Sequence, residues 1–212
     1  MALKALFYPD VPFDSLFIPH IYKEIYFENV YADIFNQDSD MIIIDVGANI
    51  GIVTQYMRDY AKKVYAIEPS SEHFEALKKN KEFNGWDNVE IFNIAIADKD
   101  GEMNLNKYSA NRTMYSLTTD YNQGGELVRT MTMDTFFNKN NIDNVDFMKF
   151  DVEGAEDLIL RSEGFKKVAS IIKSIEVEFH GALCKELINY MTELGYKAKR
   201  MLADAMIVLF TR

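Results

Sequence analysis

The chain lacks the residues that build covalent or metal frameworks, and it lacks the apolar runs that cross membranes. Cys184 is the single cysteine among 212 residues, so no internal disulfide and no cysteine-based zinc site can form. No apolar run reaches the roughly 18 residues of a membrane-spanning helix, and the first residues do not show the basic stretch and apolar core of a secretory signal. We therefore expect a soluble, cytoplasmic protein without a membrane span.

Positive charge is also in short supply. The 33 aspartates and glutamates outnumber the 23 lysines and arginines, which gives a net charge of −10. Such a chain repels phosphate backbones, so we expect no nucleic-acid partner. The 48% of apolar residues and 26% of charged residues are ordinary for a globular protein, and the length suffices for one domain with its own core.

The few prolines mark a boundary near residue 40. Three of the four, Pro9, Pro12 and Pro19, lie in the first twenty residues and predict an extended arm. The spacing of apolar and aromatic residues then predicts a helix over 21–35, which packs on the sheet or forms a homodimer face. We therefore predict an N-terminal arm and aromatic helix over 1–39 and one domain over 40–212.

From residue 40, short β-branched runs alternate with amphipathic runs, which is typical of an α/β fold with a largely parallel sheet. The predicted core strands are 41–46, 63–67, 89–96, 145–150 and 171–179, with added β-structure at 102–106 and 126–131 and a terminal hairpin at 196–201 and 205–210. Helices are predicted up to residue 60, after a cap at Ser70 or Ser71, over 155–161, and over 183–194 before a left-handed stop at Gly195.

A glycine turn follows the first predicted strand. Its residues Asp45, Gly47, Asn49 and Gly51 lie where a strand ends and a helix begins, so glycines let the backbone approach a ligand and the helix offers unpaired N–H groups to an anion. Asp45 would attract an ammonium group, so a ligand with an amine and a carboxylate fits. Asn49 replaces the second glycine of the dinucleotide fingerprint, which disfavours, without excluding, a nicotinamide-dependent oxidoreductase.

Glu68 ends the second predicted strand, 17 residues after Gly51. Ligands of open α/β sheets lie outside the carboxyl ends of the strands, where an acid can accept both hydroxyls of a ribose. A nucleoside joined to an amino acid without phosphates describes S-adenosylmethionine.

Four runs together, IIIDVGANIG, AIEPS, NIAIAD..G and KFDVEGAE, resemble the FkbM-type methyltransferases of the S-adenosylmethionine-dependent class. The resemblance covers about residues 41–180. It implies an α/β, Rossmann-like methyltransferase fold, with a mostly parallel seven-stranded sheet, helices on both faces and a C-terminal antiparallel hairpin. The cofactor it implies is S-adenosylmethionine, bound by Asp45, Gly47, Asn49 and Gly51 at the methionine portion, by Glu68 at the ribose and by backbone near Asn93 and Ala95 at the adenine. It also implies that Ser116 lies beside the active site.

Acidic residues follow the fourth and fifth predicted strands. Asp151 and Glu153 come directly after the fourth, and Glu178 and His180 end the fifth, where a buried parallel strand should be apolar. If these strands are neighbours, the four side chains converge beside the methyl donor. They could bind the acceptor and take its proton, with His180 or Asp151 as the base. Alternatively, they could hold a divalent cation through hard oxygen ligands.

The sequence therefore predicts an S-adenosylmethionine-dependent enzyme that methylates a hydroxyl of a small-molecule or glycan acceptor: a carbohydrate, a glycolipid or a polyketide-like metabolite. Methylation of a base amide is disfavoured, because no Asp/Asn-Pro-Pro-aromatic sequence follows the fourth strand. Besides the oxidoreductase, a non-catalytic module that binds the cofactor is the second rival.

Overall fold

The computed structural model describes residues 34–35, 40–107, 115–119, 124–180, 184–200 and 207–212. The strands of these ranges are β1 Met41–Val46, β2 Ala61–Ile67, β3 Val89–Phe92, β4 Ala95–Ile96, β5 Gly101–Lys107, β6 Tyr115–Ser116, β7 Gly125–Met131, β8 Phe147–Phe150, β9 Ser174–Glu178, β10 Lys197–Arg200 and β11 Ile207–Thr211. The α-helices are α1 Ile52–Met57, α2 Ser71–Asn84, α3 Met133–Asn140, α4 Glu156–Leu160, α5 Glu163–Val168 and α6 Cys184–Glu193, with short 3-10 turns at Arg58–Tyr60 and Ala169–Ile171.

The main sheet has seven strands in the order β10-β11-β9-β8-β1-β2-β3. The pairs from β9 to β3 are parallel, and β11 is antiparallel to both β9 and β10. This arrangement confirms the predicted α/β, Rossmann-like sheet with its C-terminal antiparallel hairpin. The predicted turn of that hairpin, at 203–204, lies outside the described residues.

Helices cover both faces of the sheet because the strand residues alternate between two apolar clusters. One face packs Ile44, Val46 and Phe150 with side chains of α3, α4, α5 and α6. The other packs Ile43 and Phe147 with side chains of α1 and α2. The hydrophobic core therefore lies on both sides of β1 and β8, and it holds the ends of these two strands in fixed positions.

The third predicted strand, 89–96, is divided in the structure. β3 pairs with β2, and β4 pairs instead with β7 in a second sheet of order β4-β7-β5-β6. Asn93 lies at the break, and its Nδ2 donates to the carbonyl oxygens of Glu68 and Pro69, each at 3.0 Å. These side-chain bonds tie the end of β3 to the loop after β2, and the chain then leaves the main sheet.

Helix ends follow the local capping rules. The Ser70 side chain accepts from the amide of His73 at the start of α2 and confirms the predicted cap, and Gly195 after α6 has φ +92°, as expected of a left-handed stop. α3 was not predicted, although its buried residues Met133, Phe136 and Phe137 have helical spacing. Its cap is Thr132, whose side chain accepts from the amide of Thr135.

Phe35 shows how the end of the N-terminal segment meets the domain. Its buried ring packs against Tyr56 and Tyr60 of the α1 region and against Phe147 of β8. The predicted arm and all but the last two residues of the predicted helix over 21–35 lie outside the described residues. The division at residue 39 and the homodimer therefore stay predictions. Over the described part of the chain, every helix is too short or too polar to traverse a bilayer.

Candidate functional site

The site lies at the carboxyl ends of four neighbouring strands. β2, β1, β8 and β9 stand side by side and run in the same direction. The loops that follow them therefore meet at one edge of the sheet. These loops carry the predicted glycine turn, Glu68, the acids after β8 and His180, so the expected adjacency of the fourth and fifth core strands is present.

The glycines of the turn are required by close packing within the chain. Gly47 has φ +82°, and a Cβ there would lie 1.8 Å from the carbonyl oxygen of Asp151. Gly51 has φ +92°, and its Cβ would lie 2.6 Å from Cδ1 of Leu77. L side chains rarely adopt such φ values, and neither position has room for one. The turn after β1 is thereby pressed against the loop after β8.

The backbone amides of the turn itself, residues 47–51, are bonded within the protein, whereas the expectation that the start of the helix offers unpaired N–H groups to an anion stays a prediction. The amides of Gly47 and Ala48 both donate to the carbonyl oxygen of Ile67, each at 3.0 Å. The amide of Asn49 donates to Oε2 of Glu68 at 2.8 Å, and the amides of the next two residues donate within the turn. The amides instead fasten the turn to the end of β2.

Backbone amides fix both carboxylate oxygens of Glu68. It is 5% exposed, and its Oε2 accepts from the amide of Asn49 while its Oε1 accepts from the amide of Ser70 at 2.8 Å. A carboxylate has about four acceptor sites, so sites remain for ligand hydroxyls beside the two amides and His73, whose Nδ1 lies 3.8 Å from Oε1. Asn93 lies beside this loop, whereas Ala95 is buried in β4.

Two carboxylate oxygens at the ends of β1 and β8 lack partners among the described residues. Asp45 is 0% exposed, and its Oδ2 accepts from Thr54 Oγ1 at 2.5 Å while its Oδ1 accepts nothing. Oδ1 of Asp151 is likewise buried without a partner. Burial raises the pKa of Asp45, against the lowering effect of Lys149. Two such oxygens suit a cationic group, because an unsatisfied buried acceptor is costly.

Lys149 is a charged residue of the site that the sequence reasoning missed. It lies within the buried strand FMKF and is 6% exposed, and its Nζ is 3.0 Å from Oδ2 of Asp151. Burial opposes its charge, but the carboxylates of Asp151, Asp45 and Glu178 raise its pKa well above the usual range. The signal was present in the sequence as a lysine flanked by apolar residues in a core strand.

The acids and the histidine predicted at the strand ends come together around His180. Its Nδ1 lies 2.9 Å from Oε1 of Glu156, and its Nε2 lies 3.4 Å from Oε2 of Glu153 and 3.9 Å from Oε1 of Glu178. Glu156 was predicted only as part of a helix. It is buried, and it also accepts from the amide of Gly154 at 3.0 Å.

Two groups of this cluster have shifted pKa values. Burial lowers the pKa of His180, but the hydrogen bond to Glu156 and the charges of Glu153 and Asp151 raise it to about 9. Burial raises the pKa of Glu153, and Asp151 adds to this effect while His180 opposes it, so the pKa is about 7. Near neutral pH the imidazole is therefore a cation, and Glu153 is the group that exchanges a proton. This favours Glu153 over His180 as a base.

Ser116 lies against the same loop. It is buried in β6, and its Oγ accepts from the amides of Thr118 and Thr119. The Thr118 hydroxyl in turn donates to the carbonyl oxygen of Gly154 at 3.0 Å. Ser116 thus shapes the turn that contacts the Glu153–Gly154 loop.

Among the residues that the structure describes, one cluster could hold the divalent cation considered from the sequence. One ligand atom each from Asp151, Glu153 and His180 lie within 4.8 Å of one another. Two carboxylate oxygens and an imidazole nitrogen are acceptable ligands for such an ion. A protonated imidazole, however, donates both N–H groups and cannot ligate, so the cation would have to displace a proton that the neighbouring carboxylates stabilise.

Comparison with known proteins gives one family and several relatives. The sequence profile described as the methyltransferase FkbM domain matches residues 45–198. Methyltransferase 1 of Beauveria bassiana is 27% identical over 172 residues, which cover 71% of this chain and 69% of that protein. An uncharacterized RNA methyltransferase of Oceanobacillus iheyensis is 42% identical over 64 residues, 30% of this chain and 14% of that protein.

Among solved structures, methyltransferase FkbM from Methylobacillus flagellatus superposes with a TM-score of 0.60 at 15% sequence identity. The match covers 90% of this chain and 48% of that one, so this chain spans about half the length of that protein. The likeness shows a common fold.

Proposed function

We propose an acceptor class and a mechanism from the premise that the chain belongs to the FkbM methyltransferase family and is an S-adenosylmethionine-dependent methyltransferase. The reaction we propose is O-methylation of a hydroxyl on a carbohydrate, a glycolipid or a polyketide-like metabolite. The observation that supports it is the position of Glu153, whose pKa is about 7 and whose Oε2 lies 3.4 Å from His180, at the sheet edge proposed to hold the cofactor.

The cofactor fits the strand ends through its charged and polar groups. The unpartnered Oδ1 atoms of Asp45 and Asp151 suit the ammonium group of the methionine portion. The free acceptor sites of Glu68 suit the two ribose hydroxyls, and the chain after β3, near Asn93 and Ala95, suits the adenine. When bound, the cofactor supplies a methyl group activated by its sulfonium.

Glu153 then receives the proton of the acceptor hydroxyl. The bound cofactor would supply the methyl group and its sulfur the leaving group, and a carboxylate oxygen of Glu153 would take the proton that the acceptor hydroxyl loses. The His180 imidazolium, fixed at Nδ1 by Glu156, faces Glu153 and favours its ionised form. The protein's larger contribution is alignment, which can lower a barrier by about 7–11 kcal/mol.

The charge of the site supports an acceptor without phosphates. Asp151, Glu153, Glu156 and Glu178 surround His180. These four carboxylates outnumber the two cations of the site, His180 and Lys149, so the cluster repels an anion. A neutral hydroxyl compound can approach this cluster. An RNA acceptor would bring its phosphates close to it, although one partial relative is named as an RNA methyltransferase.

The acceptor class can be tested by transfer of labelled methyl groups from S-adenosylmethionine to fractions of a cell extract. We expect label in the neutral glycan, glycolipid and small-molecule fractions, and none in these fractions with the Glu153→Gln variant. Label in RNA that is lost with the same variant would overturn the proposed acceptor. Binding of the cofactor with no transfer to any fraction would favour the non-catalytic module.

Substitution of Glu68 by alanine should weaken cofactor binding. We expect the Kd of S-adenosylhomocysteine, measured by calorimetry, to rise about 10- to 100-fold, because hydrogen bonds to a charged group contribute about 1.5–3 kcal/mol. Glu126→Ala is a matched control, since Glu126 also accepts a backbone amide near the start of α2, that of Ser71 at 3.1 Å. NAD binding that depends on Glu68, with no binding of S-adenosylhomocysteine, would favour the oxidoreductase.

Removal of divalent cations should leave turnover unchanged. The reason is that His180 is held as a cation between Glu156 and Glu153, and both of its ring nitrogens are then donors. The measurement is the rate after treatment with a chelator and gel filtration. A rate that falls and is restored by Mg²⁺ or Mn²⁺ would contradict this prediction and favour a cation held by Asp151, Glu153 and His180.

A further inference from the structure

A row of charged residues runs across the main sheet beneath the site. Lys149 of β8 stands in register with Asp45 of β1 on one side and with Glu176 of β9 on the other. The exposed fractions of the three residues are 6%, 0% and 4%. A buried row of ions is weak support for stability, because desolvation offsets most of the attraction between the charges. Its position directly behind the strand ends points to a role in the site.

Lys149 also contacts the loop after β8. Its Nζ is 3.0 Å from Oδ2 of Asp151, two residues further along the chain. This contact fixes the orientation of the Asp151 carboxylate. Its other oxygen, Oδ1, is buried without a partner among the described residues. Asp45 shows the same pattern, since Thr54 occupies its Oδ2 and leaves its Oδ1 open.

We propose that Lys149 is a positioning residue, which holds the carboxylate of Asp151 in place and lies between Asp45 and Asp151, so that the Oδ1 atoms of both face the ammonium group of the cofactor. A cation between two neighbouring carboxylates offsets the repulsion between their charges. The charged groups facing Lys149 are Asp45 on β1, Asp151 after β8, and Glu176 and Glu178 on β9. This inference rests on the proposed placement of the cofactor and adds the residue that organises it.

The test compares two ligands that differ in the amino acid portion. S-adenosylhomocysteine carries the ammonium group, and 5′-methylthioadenosine is the same thionucleoside without it. For Lys149→Met we expect the Kd of S-adenosylhomocysteine to rise about tenfold or more, and the Kd of methylthioadenosine to stay within about twofold of wild type. A general disturbance of the fold would weaken both ligands alike. Equal loss for both ligands would therefore overturn the proposal.

Asp151→Asn changes the other partner of the contact between Lys149 and Asp151. It provides the test if Lys149→Met does not fold. It should show the same selective loss, and the double variant should lose little more than either single variant. An unchanged ratio of the two Kd values in Asp151→Asn would refute the role of Lys149. Lys173→Met is a matched control, because Lys173 forms an exposed ion pair with Asp146. Binding is measured without an acceptor, so the result does not depend on the proposed O-methylation.

Discussion

Glu153→Gln lowers kcat by about 10²- to 10⁴-fold, the usual contribution of a general base, while the Kd of S-adenosylhomocysteine changes little. Glutamine keeps the shape of the side chain at a residue whose φ is +53°, but it cannot accept the proton of the acceptor hydroxyl. The measurements are steady-state rates and calorimetry on the same preparations. Glu163→Gln, on an exposed glutamate at the start of α5, is the control and should retain the wild-type rate.

The pH dependence of the rate gives an independent check of the same role. For wild type, kcat/KM should rise through about pH 7, because Glu153 has to be ionised to accept a proton. In Glu153→Gln the rising limb should be missing. A limb near pH 7 that persists in this variant would assign the base to another residue.

Gly47→Ala should be the most damaging single substitution in the cofactor site. Its Cβ would lie 1.8 Å from the carbonyl oxygen of Asp151, at φ +82°, so the loops after β1 and β8 have to separate. We expect the free energy of unfolding to fall by about 3 kcal/mol or more, the range of overpacked or strained buried positions. Binding of S-adenosylhomocysteine should be lost, because Asp45 and Asp151 no longer stand together.

Gly85→Ala is the matched control for this substitution. Gly85 also has a positive φ, +61°, but a Cβ there would meet nothing within 4 Å. Only the strain of the left-handed conformation remains, about 1–2 kcal/mol, and the Kd of the cofactor should not change. Urea denaturation and calorimetry on both variants separate the backbone strain from the clash. Equal effects of the two substitutions on stability and binding would contradict the close contact between the two loops.

The parts of the site that were predictable from the sequence are those that depend on local spacing or on a general rule of parallel sheets. The turn from Asp45 to Gly51 and the acid at Glu68 follow successive strands, and a parallel sheet brings the ends of such strands to one edge. The same rule predicts that Asp151 and His180 meet, provided that β8 and β9 are neighbours. The register of the structure has this adjacency.

Other features depend on contacts between residues distant in the sequence. In the sequence, Lys149 is a single lysine in an apolar strand. Only the register of the strands shows that Asp45 and Glu176 flank it. Glu156 resembles any acid in a first helical turn, and only the fold brings His180 to it, 24 residues later. The use of the turn amides was unpredictable for the same reason, because Ile67 and Glu68 compete with a ligand for them.

A crystal structure of the complex with S-adenosylhomocysteine tests the cofactor site most directly. We expect the ribose hydroxyls to donate to the carboxylate of Glu68 and the ammonium group to lie against Oδ1 of Asp45 and Oδ1 of Asp151. An adenosine bound away from the ends of β1, β2 and β8, or an ammonium group distant from both aspartates, would contradict this expectation.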